Sequence, residues 1–113
     1  MQDWSTQSWE VNAYMPEHDM DIALPMFADH IRSKAPYSKP TISFEKGSKY
    51  LRVVKTDDGW ARSAYAFIVL RNTGKFQIGD ILKPASWKTP AKNFARGNVL
   101  RPITYQNFSP YGL

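Results

Sequence analysis

Residues 62–71 read RSAYAFIVLR, with Tyr65, Phe67 and Val69 alternating with Ala64, Ala66, Ile68 and Leu70. Successive side chains of a strand point to opposite faces, so both faces of this stretch are apolar. That predicts a central strand with cover on each side. Residues 49–56 (KYLRVVKT) predict a second strand, and Asp58-Gly59 marks a tight turn between the two. Asn72-Thr73-Gly74 turns the chain into residues 75–83, which Gly79-Asp80 interrupts as a turn or bulge. A short strand is expected at 41–44 inside the Pro-rich connector 35–48, and a last strand at 98–106 before a tail at 107–113. Between them, ASWKTPAKNFARGN is loop-like, with at most a short helix over 90–96 ending at Gly97.

Ahead of the strands the period changes. Leu24, Phe27, Ala28 and Ile31 fall at i, i+3, i+4 and i+7, one apolar stripe of a helix. Pro25 would break a helix interior, so the helix is expected to begin there, after an irregular 17–24. Arg32 and Lys34 suit its C-terminal end, and Ala35-Pro36 stops it. Residues 1–16 have no stable period, yet Trp4, Trp9, Val11, Tyr14 and Met15 are too apolar for a solvated tail. They are read as an arm that docks on the body or on a second subunit. The fold class is therefore α+β: a small antiparallel sheet of three to five strands and one N-terminal helix at about 25–34. It forms a single domain over 17–113, preceded by the arm.

Charge adds what periodicity does not. The chain has 113 residues and a formal net charge of +5, but residues 1–31 carry six acids and no Lys or Arg. All 15 basic residues follow, and from Ile81 onward there is no acid while Lys83, Lys88, Lys92, Arg96 and Arg101 recur. Such asymmetry points to a polyanion-binding body, or to an acidic segment that packs on its own basic domain. The absence of cysteine excludes disulfides, thiolate metal sites and a Cys nucleophile. No apolar run approaches the ~18 residues of a membrane span, and the acidic N-terminus lacks the basic region of a signal peptide. No membrane partner is expected.

The block GDILKPASWKTPAKNFARGNVL at 79–100 follows GSKYLRVVK at 47–55 and AYAFIV at 64–69. Together they resemble a family of small uncharacterised proteins of tailed bacteriophages. The resemblance covers about residues 36–100 and is densest in the last twenty. It implies an origin rather than an activity. That origin would place the protein in the cytoplasm of an infected bacterium, or in the virion.

In this block Lys83, Lys88, Lys92, Arg96 and Arg101 supply long cations, Trp87 and Phe94 lie between them, and Pro84 and Pro90 stiffen the segment. Cations contact phosphates and aromatic faces stack bases, the usual chemistry of single-strand or nucleotide recognition. Asn98 adds an amide that can read a base edge or cap a turn, and Tyr65 is a further stacking surface if its face is open. The competing reading makes Trp87 and Phe94 plugs on the sheet, with the lysines solvating the rim. Catalysis is not expected. His18 and His30 have no recognised ligand spacing, there is no nucleophile elbow, P-loop or GxGxxG, and the later Asp residues sit at turns. No metal and no cofactor is expected. The functional expectation is a non-enzymatic phage accessory protein that binds nucleic acid, preferably single-stranded, or a nucleotide. The alternative is a protein-interaction role, as a virion component or a host- or defence-directed inhibitor, including a trap for a cyclic nucleotide.

Overall fold

The central strand of the computed structural model, which describes residues 19–113, is Ala61–Val69 (β3). It pairs on one side with Tyr50–Asp57 (β2), itself paired to Thr41–Lys46 (β1). On the other side lie Asp80–Leu82 (β4) and Gly97–Asn98 (β5). The order β1-β2-β3-β4-β5 is an antiparallel meander, with Phe67 opposite Arg52 on one flank and Leu82 on the other. Asp58 and Gly59, both at positive φ, make the β2–β3 turn that the sequence marks. Every residue from Tyr65 to Val69 is buried, as two apolar faces require.

Helix Met20–Ser33 (α1) covers one face. Phe27 and Ile31 pack there with Leu51, Val53, Ala66, Ile68 and Ile81. Pro25 lies inside this helix rather than at its start. It removes one amide bond, the one that would have reached Asp21, and both residues are solvent-exposed, so water can serve the freed carbonyl. The apolar stripe outweighs that loss and the helix begins five residues earlier than the proline suggests.

Three further expectations are corrected. A register shift between Val53 and Val54 leaves Tyr65 outside the ladder, because Val53 pairs with Ala66 and Val54 with Ala64. Such a bulge reverses the alternation. Tyr65 therefore joins Ala66 and Ile68 in the α1 cluster, while Phe67 and Val69 pack with Ala64 on the opposite face. Its hydroxyl donates to the carbonyls of Ser109 (2.6 Å) and Gly112 (3.3 Å), and burial pushes the phenol well above its usual range. It is not a stacking surface. The strand expected at 98–106 stops at Asn98, and Pro102–Tyr105 forms a 3₁₀ turn instead. Residues 107–113 are no loose tail, since Phe108 and Pro110 are buried and Lys55 Nζ donates to the Pro110 carbonyl at 2.6 Å.

The arm at 1–16 and His18 lie outside the described residues. Among the described residues no helix is long and apolar enough to cross a membrane.

Candidate polyanion-binding face

On the face opposite α1, Phe76 and Ala95 pack with Phe67, Val69 and Leu82, and the basic aromatic block runs alongside. No helix forms over 90–96. The segment instead runs back along β4, with the Ala91 N–H on the Lys83 carbonyl (2.7 Å) and the Arg96 N–H on the Ile81 carbonyl (2.7 Å). Once those amides bond to β4, they are no longer available to a helix. The far end of this return is a tight turn: the N–H groups of Ala85 and Ser86 both donate to the Thr89 carbonyl, and Ser86 Oγ and Thr89 Oγ1 lie 3.0 Å apart. Trp87 and Lys88 sit inside that turn.

The Trp87 ring rests on two arginines that come from strands, not from the block. The Arg52 guanidinium carbon is 4.3 Å from the ring centroid and that of Arg62 is 5.3 Å away. Both guanidinium groups are held in place by Glu45. Arg52 Nε and Nη2 donate to Oε1 at 3.1 and 2.5 Å, and Arg62 Nη2 donates to Oε2 at 2.6 Å. Arg52 also donates to the Trp87 carbonyl at 3.3 Å. These hydrogen bonds hold the Glu45 carboxyl below its usual range. Cation–π attraction adds to this, and the guanidinium plane favours stacking over a ring. Trp87 keeps 37% of its surface exposed, so it is partly covered and partly open to solvent.

The other predicted residues divide. Lys92 Nζ lies 5.8 Å from the Tyr50 ring centroid, and the Lys92 carbonyl accepts Lys75 Nζ at 2.6 Å, so a further lysine joins the same face. Arg96 stacks on Phe94 at 4.4 Å, and its Nε is buried without a hydrogen-bond partner. Phe94 is 55% exposed and therefore plugs nothing. Lys88 reaches a cleft at the β1–β2 turn beside Lys46, Ser48 and Tyr50. Lys83 is solvent-exposed and borders a separate cleft with Lys55, Tyr65 and Tyr111. Arg101 precedes the 3₁₀ turn, whose Tyr105 packs in the α1 cluster, so the other layer positions it.

Asn98 leaves the candidate set. It is 5% exposed; its Nδ2 donates to the Ile78 carbonyl and to Asp80 Oδ1, and its Oδ1 accepts the Leu100 N–H. Each end of the amide is engaged within the protein. His30 lies edge-on to Tyr105 with Nε2 3.1 Å from the Gln106 carbonyl, and among the described residues no group of His, Asp and Glu is arranged to hold a metal.

Arg52, Arg62 and Glu45 are the residues that sequence reasoning missed. The available signal was Arg52 between Tyr50 and Val54 on the β2 alternation opposite Leu51 and Val53, a cation on a strand face that otherwise reads apolar. What the face offers chemically is a row of cations with partly open aromatic rings and a single carboxylate already paired twice.

Residues 4–108 match the model of a family of unknown function, DUF7717. No curated protein and no solved structure matches the chain.

Proposed function

We propose that this chain, which belongs to the DUF7717 family of unknown function, is a non-enzymatic binder of single-stranded nucleic acid, with the β1–β2–β3 face around Trp87 as its binding surface. The observation that carries this reading is the Trp87 stack: the Arg52 and Arg62 guanidinium carbons lie 4.3 and 5.3 Å from the indole centroid, and 37% of the residue stays exposed. A plug in the sheet would have been buried completely, as Leu82 is. Lys88 follows the ring in sequence and lines a cleft with Tyr50 and Arg52. Lys92 lies over the Tyr50 ring with Lys75 on its carbonyl, which gives phosphates cations on the same face as a stacking base. Duplex DNA hides its base faces and offers such a ring nothing to stack on, so unpaired bases suit the face better. The resemblance to tailed-phage proteins adds the infected bacterial cell as the setting.

Trp87→Ala tests the reading, because it removes the ring and leaves every charge in place. Fluorescence anisotropy with a labelled dT12 oligonucleotide at low salt is expected to record a loss of roughly 1–3 kcal/mol in binding. The melting temperature should fall less than for a core aromatic, since the ring is partly exposed and packs on surface arginines rather than in either apolar cluster. A folded variant that binds as the parent does would make Trp87 purely structural. If the parent binds no oligonucleotide at all, the reading moves to a protein partner, for which Tyr37, Trp60 and Tyr111 offer exposed aromatic surface.

A further inference from the structure

The cleft at the β1–β2 turn begins one residue beyond Trp87. Its volume is about 190 Å³, and Lys46, Ser48, Tyr50, Arg52 and Lys88 line it together with Glu45. Small-molecule sites usually run to roughly 300–1,000 Å³, so this cleft is too small for a whole nucleotide. A phosphate with part of its sugar is the larger fragment it can take.

Charge narrows the choice. Glu45 borders the cleft, yet each of its carboxylate oxygens already accepts from a guanidinium, Oε1 from Arg52 and Oε2 from Arg62. The cleft is lined by three cations, Lys46, Lys88 and Arg52, against the single Glu45 carboxylate, whose other oxygen is paired with Arg62 outside the lining, so the site is net positive. A phosphodiester linkage brings one negative charge, whereas a phosphate monoester carries about −1.5 to −2 at pH 7 and three acceptor oxygens. Lys46, Ser48 and Lys88 supply donors to such a group without drawing the arginines away from Trp87.

We infer that this cleft is a subsite for the terminal phosphate of a single strand whose last base stacks on Trp87. The inference rests on the proposed nucleic-acid reading and adds to it a preference for phosphorylated ends. Position supports the pairing, since Lys88 directly follows the stacking residue and an end group beside the ring lies within its reach.

The test compares labelled dT8 strands ending in 5′-phosphate, 3′-phosphate or hydroxyl only, at low salt, with dTMP as an unlabelled competitor. One phosphorylated end is expected to bind at least about tenfold more tightly than the hydroxyl-ended strand. The double variant Lys46→Ala/Ser48→Ala should erase that preference and leave the hydroxyl-ended affinity within about twofold. Equal binding of all three strands would overturn the inference while leaving the proposed function standing. A preference that survives the double variant would overturn it too, as would dTMP competing as well as the phosphorylated strand. Absence of binding by every strand would remove the proposed function and this inference with it.

Discussion

Replacing Phe27 with alanine is expected to lower stability by about 3–5 kcal/mol, the range for truncating a buried aromatic. Phe27 is fully buried and is the ring on which both chain ends of the described domain meet. Tyr105 stands edge-on to it at 5.0 Å, with Phe108 and Tyr65 each at 6.3 Å. These partners come from the 3₁₀ turn, the C-terminal segment and β3, so no single backbone shift can close the cavity. In a chain of this size the loss corresponds to a fall of roughly 12–20 °C in melting temperature. Met26→Ala, one residue earlier and exposed, is the control and should stay within about 0.5 kcal/mol. Calorimetry on both variants decides it, and a Phe27→Ala loss below about 1 kcal/mol would mean that α1 is not held by this cluster.

Asn98→Ala should be the next most damaging change, at roughly 2–4 kcal/mol. It removes the Asn98 bond to the Ile78 carbonyl and takes the acceptor from the buried Leu100 N–H, at the point where Gly79 approaches most closely. Gly79 has φ of 91°, and a Cβ there would meet Asn98 Oδ1 at 2.6 Å, so the two residues fit as a pair. Asn98→Asp is the sharper variant. It preserves the acceptor for Leu100 but turns an oxygen toward Asp80 Oδ1 in place of a donor. Urea unfolding should therefore find Asp less stable than Ala at pH 7, with the gap narrowing as acid protonates the new carboxylate. Asp equal to Asn at pH 7 would show that the amide donor is dispensable.

These two residues also mark what a sequence makes readable. Phe27 was visible in the i, i+3, i+4, i+7 stripe, and β3 in its two apolar faces, because both depend on local period. Asp58-Gly59 announced the β2–β3 turn through backbone chemistry that is equally local. Asn98 looked like a ligand residue because a polar side chain on a basic loop gives no hint of carbonyls that come from 20 residues earlier. The face taken by Tyr65 was illegible for a related reason. A bulge is set by pairing with another strand, and one extra residue reverses every assignment beyond it. Pro25 misled in the other direction, since its local penalty was real but small beside the burial of Phe27 and Ile31.

The candidate site divides along the same line. Lys88, Lys92, Trp87 and Phe94 stood together in one basic, aromatic run, and the structure brings Lys88 and Lys92 to Tyr50 and Trp87 to Arg52, while Phe94 stacks with Arg96. The platform beneath Trp87 came from β1, β2 and β3, 25 to 42 residues away in the chain, where nothing local foretold the encounter. Its consequence is physical. Two arginines fixed by Glu45 orient the indole before any ligand arrives, which reduces the ordering cost of binding.

The central claim, that this face binds single strands through phosphates and a stacked ring, is tested most directly by the salt dependence of dT12 binding. It should be measured in the parent and in the triple variant Lys88→Ala/Lys92→Ala/Arg96→Ala. Each phosphate contact contributes about −0.7 to the slope of log affinity against log salt for a single strand. The parent is therefore expected to weaken steeply as salt rises, and the variant to bind less tightly with a slope shallower by roughly 1–2. Equal slopes in the two proteins, or a parent whose affinity does not respond to salt, would contradict the account.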